Sequence, residues 1–151
     1  MSNPKPGPSG RQSTRKRGQA MVEFAIVLPI FMLVLSGICD FGFALYQRMT
    51  VISAAREGAR AATMVTDRTT IETVAKGAAQ AAALQGGLTL TSIDVTCIHA
   101  SATIDCKTAA QINDLVVVTT SYPYSSFFPL TFNATFTLSS TVEMVLESLG
   151  T

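Results

Sequence analysis

An α+β fold carried on a membrane helix is what this sequence predicts, and three observations predict it. Phe24–Cys39 runs sixteen residues without a charge (FAIVLPIFMLVLSGIC), close behind a cluster of cations. Alanine-rich sequence with helical spacing then fills most of Met49–Leu84. From Leu88 onward the period of the apolar residues changes from helical to two, the mark of strands with one buried face. The expected architecture is a long N-terminal transmembrane helix that continues into an extracytoplasmic stem. A second helix and a small antiparallel sheet of about three strands follow. Composition agrees: charged residues are only 14% and hydrophobic residues 48% of the 151. That is too apolar for a disordered chain. A net charge of +1 also supplies no basic footprint for nucleic acid.

The charge is unevenly placed. Lys5, Arg11, Arg15, Lys16 and Arg17 precede Gln19 with no acid among them, whereas the rest of the chain holds six bases and ten acids. The uncharged run is short of the roughly 20 residues that cross a bilayer core. Extending it to residues 19–47, with only Glu23 and Asp40 charged, makes a full span. Cations gather on its N-terminal side, so the positive-inside rule puts residues 1–18 in the cytoplasm and residues 48–151 outside. A cleaved signal peptide fits poorly, because the run exceeds the usual apolar length and no small-x-small site ends it. Ile38 is too bulky for a lipoprotein cut at Cys39. Pro29 removes one helix donor and predicts a mild kink.

Residues 48–66 read as a helical stem. Ala55, Ala59 and Ala62, below Ile52, form one face of mostly small side chains, with Arg56 and Arg60 beside it. Two readings stand: a close contact with a partner helix, its guanidinium groups meeting carboxylates, or an amphipathic stem with solvated arginines. Gly58 disfavours a helix interior and hints at close packing. Residues 67–151 form the lobe. Thr66–Thr69 punctuates, Thr70–Leu84 is a second helix capped by Thr69 or Thr70 with Glu72 in its first turn, and Gly86-Gly87 ends it. Leu88–Ile98, Leu115–Tyr122 and Thr131–Leu146 are strands, the last with a bend expected at Ser139-Ser140. The aromatic segment from Tyr122 to Pro129 is bracketed by prolines. It either offers exposed aromatics to a partner or closes the core with Phe127 and Phe128.

Cys39 falls in the membrane, where a free thiol is a small apolar residue. Cys97 and Cys106 are the two cysteines outside, and an oxidising compartment predicts a disulfide between them. A zinc site from Cys97, His99 and Cys106 lacks a fourth ligand. Catalysis finds little support. His99 has no serine–acid constellation in sequence, the outer acids lack metal-ligand spacing, and no phosphate-binding glycine loop follows a strand. Asp40 reads either as a relay carboxylate or as an interfacial residue. Asn133-Ala134-Thr135 matches a glycosylation triplet inside a predicted strand and carries no weight. No enzyme activity, metal or cofactor is expected.

Glu23 is the odd residue of the span, since a carboxylate in an apolar helix is costly; spacing alone equally allows it to sit among headgroups or to neutralise Arg17. Its setting is Arg15-Lys16-Arg17-Gly18-Gln19-Ala20-Met21-Val22-Glu23-Phe24. This resembles the processing site of type IV prepilins and pseudopilins, in which a prepilin peptidase cuts after a glycine and the fifth residue beyond is glutamate. More widely, residues 18–63 resemble the TadE-like family of the tight-adherence (Flp, type IVb) pilus system. The landmarks are Gly18, Val22-Glu23-Phe24, Pro29, Asp40-Phe41-Gly42 and Ala54-Ala55-Arg56-Glu57-Gly58-Ala59-Arg60-Ala61-Ala62, over about a third of the chain. The resemblance implies a non-enzymatic pseudopilin or minor pilin, cut between Gly18 and Gln19. Its partners would be the peptidase, other pilins, the pilus assembly machinery and membrane lipid. It would sit as a single-pass protein in a bacterial inner membrane or in the pilus, serving adhesion and surface attachment. Glu23, with Phe24 after it, would pair with a neighbour's new α-amine and set the register of assembly. The alternative is an uncleaved membrane-anchored domain that binds a partner outside.

Overall fold

A computed structural model describes residues 12–126 and 135–147, with side chains from Gly18 onward. Phe127, Phe128, Pro129, Asn133 and the leader's basic side chains lie outside the described residues, as does the start of the expected third strand. The element order is α1 (Gln12–Thr63), a 3₁₀ turn (Arg68–Thr70), α2 (Ile71–Gln85), β1 (Ser92–His99), β2 (Ala102–Ile104), β3 (Leu115–Ser125) and β4 (Thr135–Val145). The chain is therefore α+β, with two helices and an antiparallel sheet in the order β2-β1-β3-β4. It divides into two units, residues 1–39 and 40–151.

The first unit is helical wherever it is described. Helix α1 begins at Gln12, upstream of Gly18, and is unbroken at Pro29. Large apolar side chains along it stand in the open, among them Met21, Phe24, Ile26, Ile30, Phe31 and Leu33. By length and composition this helix can cross a membrane.

The second unit is the lobe. One face of α1 is cut back to small residues, and Ala54, Ala55, Ala59 and Ala62 are wholly buried. Helix α2 answers with Ile71, Ala75, Ala79 and Ala83, one per turn and all fully buried. Small side chains let the two backbones approach. A Cβ on Gly58 would stand 2.9 Å from the Ala75 carbonyl oxygen and 2.9 Å from the Ala79 Cβ. Gly58 is thus a packing residue, as its poor helix propensity suggested, and the small-residue face is taken up by the chain's own α2.

Both helices lie on one face of the sheet. Val116, Val118 and Thr120 of β3 point inward at period two, beside Cys97 of β1 and Leu138 of β4. Thr120 Oγ1 donates to the Val51 carbonyl at 3.1 Å, which satisfies a fully buried hydroxyl and joins β3 to α1. The opposite face is polar around Thr119 and Thr141, whose hydroxyls lie 3.0 Å apart, and apolar at the Leu115–Val117 end, where Val117 is buried. This is the one-sided pattern of an antiparallel sheet covered on one face only.

Four details differ from the sequence reading. The sheet has four strands: β2 is a three-residue return after a two-residue turn, Ala100-Ser101, and pairs His99–Cys97 with Ala102–Ile104. Strand β3 runs through Pro123, which pairs with Thr137. The last β1 partner is at Ser121, so Pro123 lies where β3 has become an edge and its missing N–H is tolerated. Strand β4 pairs without interruption through Ser139 and Ser140, so no bend breaks it there. The turn before α2 is capped by Asp67, whose Oδ1 accepts from the Thr69 amide and hydroxyl, while Thr70 makes no side-chain cap. At its other end α2 closes in a Schellman arrangement: Gly87 takes φ 73° and the Leu88 amide reaches the Ala83 carbonyl.

Candidate functional site

On the first unit, Gly18, Gln19 and Glu23 are exposed on α1, and a Cβ at Gly18 would meet nothing. Phe24, next to Glu23, is 64% exposed. Among the described residues, Glu23 is an exposed carboxylate on an otherwise apolar, uncovered stretch of helix. Arg56 and Arg60 lie on the solvent side of the lobe portion of α1. Arg60 reaches Glu57 at 3.9 Å with both side chains more than half exposed, and so loose a surface pair contributes little.

The structure also gathers residues that the sequence keeps far apart. Asp40 opens the lobe, and its carboxylate is held by β3. The Tyr124 hydroxyl donates to Asp40 Oδ1 at 2.7 Å, and Ser126 Oγ donates to Oδ2 at 2.9 Å. The Tyr124 oxygen also lies 3.0 Å from the Asp40 carbonyl. Tyr124 is buried at 3% exposure, and its ring lies 4.9 Å from that of Phe136. Burial, and then the Asp40 carboxylate, push the phenol up to about 12. Asp40 is therefore the acceptor that fastens the end of β3 to α1. Tyr124, in the aromatic segment that the sequence left either exposed to a partner or closing the core, is a core residue.

A second cluster closes the opposite end of the sheet. Cys97 and Cys106 are joined in a disulfide, both sulfur-bearing residues buried against Val116 and Leu146. His99 Nδ1 meets Oδ1 of the buried Asp114, and the Gln111 amide donates to Oδ2 at 2.7 Å. Burial alone would raise the Asp114 carboxyl, but the His99 and Gln111 hydrogen bonds outweigh it and hold the carboxyl below its ordinary value. Glu72 of α2 takes Lys107 at 2.8 Å and also Lys76; these two partners, Lys107 first, lower its carboxyl to about 2. The sequence offered His99 no serine–acid constellation; the fold brings Asp114 to it. No metal-holding group of three or more ligands occurs among the described residues.

These features define a class: an α+β protein with a candidate helical membrane anchor, its lobe braced by hydrogen bonds and a disulfide. Within that class, the family model described as "TadE-like protein" matches residues 18–60. Over that stretch the chain is similar to the TadE-like family, in agreement with the landmarks from Gly18 to Arg60. No curated protein and no solved structure matches the chain. The matched family suggests an association with the Tad pilus and is itself generally structural rather than catalytic.

Proposed function

We propose that the protein is a pseudopilin or minor pilin of a tight-adherence pilus, cut after Gly18 and assembled through the helix that begins at Gln19. One observation carries this reading. The TadE-like match starts at Gly18, and the helix beyond it displays Glu23 and a run of uncovered apolar side chains. Cleavage leaves a positive α-amine on Gln19. A carboxylate on a neighbouring subunit's helix is its natural partner in a low-dielectric setting. Pairing two desolvated ions costs several kcal/mol each, so the contact specifies axial register more than it stabilises. The basic leader holds the N-terminus in the cytoplasm until cleavage, and the lobe lies on the far side of the inner membrane.

The test is the N-terminal sequence and intact mass of the membrane-extracted protein beside a Gly18→Ala version. A chain starting at Gln19 in the first and uncut in the second is expected. A start in the initiator region in both would instead make it an uncleaved anchor with a binding lobe. Glu23→Ala is expected to leave insertion and cleavage intact and to abolish incorporation into the assembly; incorporation at the normal level would remove the register role.

A further inference from the structure

Immediately after Asp40, helix α1 has two unlike sides. One carries Asp40, Ala44 and Val51 and packs on the lobe. The other carries Phe41, Leu45 and Met49, at i, i+4 and i+8, which are 67%, 46% and 68% exposed. Three large apolar side chains in a row, at the point where a candidate anchor meets its lobe, call for an apolar cover. We infer that this row is a lipid-contact surface, which seats the base of the lobe in the outer headgroup layer of the bilayer. The inference rests on the membrane reading of residues 19–39 and goes beyond it, because it concerns the lobe.

Chain length favours lipid over a second protein. At 1.5 Å per residue, Gln19–Cys39 covers roughly 30 Å, the thickness of the hydrocarbon core. The headgroup region adds roughly 5–8 Å on each side. Phe41 to Met49 rises roughly 12 Å, so the row starts in that layer and ends at water. Arg48, exposed beside Met49, is placed to reach lipid phosphate from the row's outer end, with its aliphatic stem along the helix. The charge problem is solved on the other side. A carboxylate at a membrane edge is costly unless it is hydrogen-bonded, and both oxygens of Asp40 accept hydroxyls from the lobe. Asp40 thereby turns its charge inward and leaves an apolar row toward lipid. Expected from the sequence as a span over 19–47, this segment becomes a core span to Cys39 followed by one lipid-facing side.

The experiment uses the full chain in phosphatidylcholine–phosphatidylglycerol vesicles, with Cys39→Ser removing the free thiol and the disulfide left closed. Single cysteines replace Ile30, Phe41, Leu45, Met49 or Arg60 in turn and carry an environment-sensitive fluorophore, quenched by lipids bearing nitroxides at shallow or deep positions. Quenching at Ile30 by the deep nitroxide, and at Phe41, Leu45 and Met49 by the shallow one several-fold more than at Arg60, is the expected pattern. If Ile30 is quenched while the row behaves like Arg60, the lobe stands clear of lipid and the inference is overturned with the span intact. A row that escapes the shallow nitroxide yet cross-links to a second copy through Phe41→Cys is covered by protein, which also overturns it. No quenching at Ile30 would remove the membrane reading itself, and this inference with it.

Discussion

Two glycines in the lobe sit in helices for opposite reasons, and alanine tells them apart. Gly77 is exposed on α2, and a Cβ there would meet nothing within 4 Å. Gly77→Ala therefore keeps every contact and reduces the freedom of the unfolded chain, raising stability by roughly 0.5–1 kcal/mol. Gly58→Ala gains about 1 kcal/mol of helix propensity as well. Its Cβ, however, collides with the Ala75 carbonyl and the Ala79 methyl, both held by α2. Overpacking of this kind costs roughly 1–3 kcal/mol, so the balance falls on the side of loss. Thermal or urea melts of the full chain in detergent should move in opposite directions for the two variants. A stabilised Gly58→Ala would mean that α1 and α2 sit further apart than their small-residue faces allow.

Elements show where local sequence stops being informative. Helices α1 and α2 were legible because three-to-four-residue spacing of small and apolar residues is itself the record of a buried face. Strands β1 and β4 were legible by period two, β3 by its β-branched run, and the pairing of Cys97 with Cys106 by topology. Strand β2 was not. Three residues are too few to show a period, and its turn is built by Ala100 at φ 45° and Ser101 at φ 70°, without the glycine or asparagine that announces a hairpin. Pairs such as Asp40 with Tyr124 and His99 with Asp114 left no trace for a different reason: they are long-range, so no spacing encodes them. The turn also carries a prediction. Non-glycine residues in the left-handed region cost roughly 1–2 kcal/mol each, and two positive φ values suit Asn-Gly. Ala100→Asn with Ser101→Gly should raise the melting temperature by several degrees. Opening the disulfide works the other way: replacing Cys97 and Cys106 together by alanine should cost about 2–3 kcal/mol for so short a loop. Because β2 is held by only three residue pairs, the amides of Ala102 and Ile104, which face β1, should then exchange faster than those of β3, as hydrogen exchange can read directly.

For the molecule as a whole, stability should fall away at both ends of the pH scale, and for different parts of the lobe. At the acid end the carboxyls of Asp114 and Glu72 titrate lower in the folded chain than in the unfolded one. The unfolded state then binds more protons, so their stabilisation is present above the ordinary carboxyl range and is lost as pH falls toward about 2. Glu72 ties α2 to Lys107, beside the disulfide, and the Asp114 carboxylate ties the segment before β3 to His99 of β1. At the alkaline end the governing group is Tyr124, which ties β3 to α1. Its phenol rises from 10.0 to about 12 because it is buried and donates to Asp40. Between those values the unfolded chain has lost a proton that the folded chain keeps, so stability declines as pH rises through the interval. Lys107, raised by Glu72, adds to the same slope. Tyr124→Phe separates the two contributions. It deletes the hydroxyl, leaves Asp40 with Ser126, and should lower stability at neutral pH by roughly 1.5–3 kcal/mol, the range for a hydrogen bond to a charged group. From about pH 10 to about 12, however, its melting temperature should fall less steeply than that of the unaltered protein, so the curves converge. Curves that stay parallel across that interval would show that Tyr124 is not the group whose proton holds α1 and β3 together.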